Sequence, residues 1–293
     1  RCICGGCAGA WWPMRSHRPS RYAMRAGKVV AVAVILAWSL LPIACIVMAS
    51  FKPAKDIFAV PQHLLFHPVF IHYVTLWTQW PGFFSGLVNS LLVTAGATLL
   101  AVAASTLAGF AYSRRRSKAM ASTAGFLIAI RLIPPIVVTL PLFPIVNRLG
   151  LEDTHLVLVL LYASFFVSMG ALLMRGFIDQ IPRELDEAAL VDGAGYFTIL
   201  RRVIVPLAGP GMVSVAIFVM VYAWNEYVFA FIFTSIHAQT APLALAEMAS
   251  AFDGVDWGVL FAASTVQLLP VLLVVMLMQK KLVAGLTAGA VKG

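Results

Sequence analysis

Apolar residues along this chain do not alternate with polar ones; they come in long unbroken stretches separated by short charged, polar or proline-rich segments. A helix that crosses a bilayer needs about 20 predominantly apolar residues. Stretches of that kind fall at 29–50, 87–112, 120–146, 154–174, 208–234 and 260–278. A transmembrane β-barrel would instead show segments of about 10 residues alternating apolar and polar. These stretches are apolar all round, and inside a membrane such a segment satisfies its own backbone only as a helix. The pattern predicts an all-α integral membrane protein of six transmembrane helices, with both termini on one side.

Composition agrees with the pattern: 61% of the 293 residues are hydrophobic and 11% are charged, against about 25% charged in an ordinary soluble domain. Orientation follows from Lys and Arg. Of the 21 basic residues, Lys52, Lys55 and Arg148 fall on one side and Arg131 falls inside the third span. The rest, including Arg25, the Arg114–Arg116 run, Arg175, Arg183, Arg201, Arg202 and Lys280, fall on the other. The bias predicts a multi-pass protein of the plasma or inner membrane with both termini in the cytoplasm. It also assigns the formal net charge of +9 to topology and contact with anionic membrane lipid, with no nucleic acid as a partner.

Cysteine adds little. Cys2, Cys4 and Cys7 lack a nearby fourth ligand for a metal, and Cys45 lies in the first span, so no disulfide framework is expected. The histidines are scattered singly, and no metal or cofactor is expected. The chain begins with Arg, and Met14 and Met24 stand as alternative starts, so residues 1–27 are read as a leader and cytoplasmic N-terminus with an extension before Met24. Residues 28–293 form a single six-helix domain, and no cleavable signal peptide is expected. No G-x-x-x-x-G-K-[ST], H-E-x-x-H or G-x-S-x-G pattern occurs, so an enzyme is not expected and any ATP hydrolysis must come from another chain.

The segments between spans are unequal. The outer stretch 51–86 carries Pro53, Pro61, Pro68 and Pro81 with Tyr73, Trp77 and Trp80, which suits an interfacial loop or short lateral helices. On the cytoplasmic side, only the loop 175–207 is long enough to dock a partner. Within it, Pro182 precedes Glu184, Asp186 and Glu187, a helix start that favours carboxylates near the positive end of the helix dipole. Gly193 ends the helix after about three turns. Ala188 and Ala189 make one side small enough for close approach, while Leu185 and Leu190 offer apolar contact. From Tyr196 to Pro206 a second amphipathic segment places Leu200, Val203 and Ile204 at helical spacing, with Arg201 and Arg202 turned elsewhere.

Glu187-Ala188-Ala189, then Gly193, then Val203-Ile204-Val205-Pro206 resembles the E-A-A-x3-G-x9-I-x-L-P signature of permease subunits of binding-protein-dependent ABC importers. Valine replaces isoleucine and leucine at Val203 and Val205, which leaves the apolar face intact. The tail from Gly285 to Gly293, Trp224-Asn225-Glu226-Tyr227 and Asn89-Ser90 look like the maltose-type carbohydrate permeases. The resemblance runs from about Gly27 to the end. It implies the type I ABC importer permease fold, a second, different permease subunit, an ATP-binding cassette ATPase dimer and an extracytoplasmic solute-binding protein. It also implies that Glu187, Ala188, Ala189, Asp192, Gly193 and Pro206 belong to a cytoplasmic coupling helix and its continuation, through which the ATPases drive transport of a di- or oligosaccharide.

Polar groups inside the spans are the remaining candidates. Arg131, followed by Pro134, Pro135 and Pro141, either lines the solute path or bonds carbonyls that the prolines free. Asn225 and Glu226 either line the outer mouth or hold helices together. Asn89 is a weaker candidate for the path, and Asn147 and Gln267 are weaker still. The rivals are an importer for glycerol phosphodiesters or phosphates, and an ion-driven secondary transporter. The latter usually shows internal repeats and paired intramembrane acids, whereas Glu226 is the one carboxylate placed inside a span.

Overall fold

The computed structural model describes residues 21–61, 65–115, 117–250 and 254–290. Cys2, Cys4, Cys7, Met14, His17, His63, Arg116 and residues 291–293 lie outside the described residues. Among the described residues all regular structure is helical. The chain divides into two compact units, Arg1–Ile46 and Val47–Gly293. The first contributes most of α1 (Arg21–Ser50), a helix with Pro42 inside it.

The second unit begins where α1 ends. There the Ser50 hydroxyl hydrogen-bonds the Tyr73 hydroxyl at 2.8 Å, and the His72 imidazole meets the Lys52 carbonyl at 2.8 Å. These contacts tie the stretch that follows α1 to α2 (Ile71–Gln79), one of the short helices that its prolines and aromatics suggest. Among the described residues, four helices are long and apolar enough to cross a membrane unbroken: Gly27–Ser50, Pro81–Arg114, His155–Ile178 and Trp257–Met278. They are α1, α3 (Pro81–Arg114), α6 (His155–Ile178) and the first part of the last helix, Trp257–Ala290.

The two remaining stretches are broken, where the hydrophobic pattern predicts continuous spans. In the third, α4 (Lys118–Ile130) and α5 (Pro135–Arg148) meet at 98°. The cause is local: neither Pro134 nor Pro135 can donate a helical hydrogen bond, and a residue before proline is driven out of the helical region. Pro134 accordingly has an extended ψ of 138°. The fifth stretch is divided at residues 225–227 between a helix at Gly209–Trp224 and a six-residue helix at Val228–Phe233.

The core of the second unit is built on α3 and α6. A Cβ on Gly109 would lie 2.6 Å from that of Met174, and one on Gly170 would lie 2.2 Å from the Ser105 hydroxyl oxygen. Small residues let the two backbones approach closely, as between membrane helices generally. Ala97, Ala101, Leu158, Met174, Val215 and Phe233 are buried around that seam. A second cluster joins Leu76 and Phe83 to Ala241, Met248 and Val259. From Asn89 to Arg114, α3 rises roughly 37 Å at 1.5 Å per residue, which exceeds the roughly 30 Å of bilayer hydrocarbon. The polar groups at its two ends therefore belong to opposite membrane surfaces.

Candidate functional site

At the Arg114 end of α3 lies α7 (Glu184–Val191), with Glu184, Asp186 and Glu187 in its first turn. It is eight residues long, about two turns rather than three, because Pro182 stays outside it. Gly193 adopts φ +80°, a left-handed conformation that favours glycine. The Gly193 amide donates to the Leu190 carbonyl at 3.0 Å and the Ala194 amide to that of Ala189 at 2.9 Å, the paired bonds of a Schellman ending. Asp192 caps the helix, donating its amide to Ala188. No residue of α7 is fully buried; Glu187 and Ala188 are exposed, and Asp186 and Ala189 are half-buried.

After that turn come α8 (Tyr196–Ile199), a wide π turn at Leu200–Ile204, and α9 (Val205–Leu207), which contains Pro206. Pro206 has no N–H to give the preceding turn, and the Val205 amide reaches back five residues to Leu200. Leu200 and Ile204 are buried while Arg201 and Arg202 are exposed, as their spacing predicts. The segment Tyr196–Leu207 then bends by 77° into α10 (Gly209–Trp224).

What fixes α7 to the bundle is a set of side chains that the sequence pattern does not reveal. Arg114 forms an ion pair with Asp186 in which both side chains are largely buried. The same guanidinium donates to the carbonyls of Ile178 at 3.3 Å and Ile181 at 3.2 Å. Arg183 donates to the Ser113 carbonyl at 2.8 Å, and the Ser113 hydroxyl to the Asp179 carboxylate at 2.7 Å. Thus α7 is clamped to the ends of α3 and α6 by its inner edge, and its Glu187 and Ala188 face is left open. Arg114 reads in sequence only as part of a basic turn, and Asp186 only as a helix-start acid.

Midway through the bundle, Arg131 ends α4 at the bend. Its guanidinium lies over the rings of Phe165, at 5.1 Å, and Phe218, at 5.9 Å. It therefore rests on aromatic faces, and among the described residues it makes no bond to a carbonyl freed by the prolines. Beside it opens a cavity of about 190 Å³, lined by Leu127, Val138, Leu142, Ser164 and Phe229 among others. Asn225 and Glu226 close the break in the fifth stretch. The Asn225 amide donates to the Val221 carbonyl at 2.7 Å, satisfying the end of α10. The Glu226 carboxylate accepts from the Phe229 amide at 3.1 Å and starts α11 (Val228–Phe233). The buried Tyr162 hydroxyl lies beside that carboxylate but outside hydrogen-bonding geometry.

At the opposite surface, Asn89 is apart from Arg131 and holds a loop. Its amide donates to the carbonyls of His237 and Gln239, both at 2.9 Å, and its oxygen meets His155 at 2.8 Å. Since the Asn89 nitrogen already donates, His155 supplies the proton of that third contact. Ser90 accepts from the Ala241 amide at 2.9 Å, at the start of α12 (Ala241–Ala249). Asp153, at φ +55°, accepts from four successive amides, those of Ser235, Ile236, His237 and Ala238. Burial opposes ionisation of this carboxyl, but the amide donors outweigh it and hold it well below the usual carboxylate range. The histidine and the aspartate escape sequence reasoning because their partners, the Asn89 side chain and the amides of residues 235–238, lie far away along the chain.

The description "Binding-protein-dependent transport system inner membrane component" belongs to a family whose model matches residues 101–287. The chain belongs to that family. The trehalose/maltose transport system permease protein MalG of Thermococcus litoralis is 34% identical over 71% of this chain and 75% of its own length. The trehalose transport system permease protein SugB of Mycobacterium tuberculosis is 34% identical over 89% of this chain and 95% of its own. Among solved structures, a chain of a bacterial ABC transporter that imports the acidic polysaccharide alginate superposes with a TM-score of 0.73 at 20% identity, covering 89% of this chain and 98% of that one. The fold is the type I ABC importer permease fold. As an inner membrane component of a binding-protein-dependent transport system, the chain is a transport subunit rather than an enzyme.

Proposed function

We propose that the chain is one of two different permease subunits of an ATP-driven importer for a carbohydrate, with α7 as the helix that separate ATPase subunits grip from the cytoplasm. The observation that carries this reading is the mounting of α7. One edge is clamped to α3 and α6 by Arg114 and Arg183, and the opposite face, with Glu187 and Ala188, is unburied. A load applied to that face passes directly into two membrane helices. Glu187 supplies a polar contact, Ala188 and Ala189 a close-packing face, and Asp192 and Gly193 the turn; Pro206 lies where the load enters α10. In this reading both termini are cytoplasmic, an extracytoplasmic binding protein delivers solute, and Arg131, Asn225 and Glu226 flank its route. Asn89 supports the outer loop beside that route. The carbohydrate assignment is supported by the trehalose and maltose systems to which the similar permeases belong.

The test is a complex reconstituted with Glu187→Lys or Gly193→Pro in this chain. Each substitution is expected to leave an inserted subunit that no longer couples ATP hydrolysis to uptake. Normal solute-stimulated hydrolysis and uptake in both variants would remove the coupling role.

A further inference from the structure

We infer that the cavity beside the α4–α5 bend binds an anionic oxygen group of the solute, a carboxylate or a phosphate, with Arg131 as its counter-charge. The inference rests on the carbohydrate-import reading and narrows it to acidic saccharides or sugar phosphates. Arg131 is the one Lys or Arg that the sequence places inside a span. Its guanidinium is held against two rings from different helices, Phe165 on α6 and Phe218 on α10. A guanidinium carries five N–H donors, and among the described residues none of them meets an acceptor, nor does any carboxylate form an ion pair with it. Glu226 directs its carboxylate to the Phe229 amide instead.

A charge within the membrane is costly unless a partner compensates it. If the solute offered only hydroxyls, a neutral Asn, Gln or Ser would serve as donor without that cost. A planar guanidinium is the better choice where the acceptor is a pair of oxygens sharing a negative charge, which its fork engages bidentately. With no acceptor among the described residues taking them, the N–H groups of the fork remain available to do so. The adjoining cavity of about 190 Å³ has apolar walls at Leu127, Val138 and Leu142 and hydroxyls at Ser164 and Ser168. That volume is well above the roughly 10–15 Å³ that a single water needs, so the cavity has room for a charged group.

The test uses the complex of this chain with its co-purifying permease and ATPase subunits in lipid nanodiscs, without binding protein. Equilibrium binding is measured for cellobiuronic acid, glucose 6-phosphate and cellobiose. At least one acidic probe is expected to bind about tenfold or more tightly than cellobiose, the order of a charge-assisted pair. Arg131→Gln is expected to abolish the difference, and Arg131→Lys, which keeps the charge without the fork, to retain part of it. Preference for the uronate assigns the site to acidic saccharides, and preference for the phosphate assigns it to sugar phosphates. Equal binding of all three probes, no binding of either acid, or an acid preference that survives Arg131→Gln overturns the inference. The Arg131→Lys arm decides the matter should the glutamine variant fail to assemble. In sealed proteoliposomes supplied with the binding protein, ATP-driven cellobiose uptake without acid preference leaves the carbohydrate reading standing, whereas a complex that moves no saccharide at all removes that reading.

Discussion

Asp153 shows how one side chain can organise a surface that its own sequence neighbourhood does not predict. Its carboxylate gathers the amides of residues 235–238, and no pattern of apolar and polar positions encodes a contact with backbone groups so far away. Asp153→Ala is expected to speed amide hydrogen exchange at residues 235–238 by an order of magnitude or more, since each lost bond to a charged acceptor is worth about 1.5–3 kcal/mol. The pH dependence has a definite sign. A carboxyl held below its ordinary value stabilises the fold fully above the unfolded value of about 3.9, and the stabilisation is lost only as pH falls from there through the depressed value. Exchange at this loop should therefore be insensitive to protonation of Asp153 from neutral pH down to about 4. Arg131 was legible as an exceptional residue, because a charge inside an apolar stretch stands out. Its rest on Phe165 and Phe218 was not, because those rings come from two other helices.

At the scale of elements, hydrophobic stretches locate spans well and breaks within them poorly. The bend at Pro134 and Pro135 has its physical cause in plain view, yet membrane helices also absorb prolines without breaking, so length and hydropathy favour one continuous span. The break at residues 225–227 is subtler, since Asn225 and Glu226 complete the hydrogen bonds of the two helix ends themselves. The ending of α7 was legible, because Gly193 takes the left-handed turn its position demands. Its mounting was not: Arg114 and Asp186 lie far apart in sequence and meet only when α3 and α6 are packed. Arg114→Gln or Asp186→Asn should each loosen α7 and cost about 3–5 kcal/mol, the range for breaking a largely buried pair. Thermal unfolding in detergent measures the loss. Uptake per ATP hydrolysed should fall in both, and the exchanged pair Arg114→Asp with Asp186→Arg should recover part of each.

Across the whole molecule, a composition of 61% hydrophobic and 11% charged residues already places the chain in a membrane. What the fold adds is a mechanical path. The 34-residue helix α3 carries the Asn89 and Ser90 contacts to the loop at residues 235–241 near one end and the Ser113 and Arg114 clamp on α7 at the other. Close glycine packing at Gly109 and Gly170 joins it to α6. In the proposed coupling, a displacement of α7 would reach the opposite membrane surface through two packed helices rather than through loops. The measurement that tests this most directly places a photo-crosslinking amino acid at Ala188 in the assembled complex and follows it during ATP turnover. The account predicts an adduct with the ATPase subunit whose yield changes with nucleotide state. A residue 188 that reacts with a membrane-impermeant reagent from outside the cell, or that yields no ATPase adduct in any nucleotide state, would contradict it.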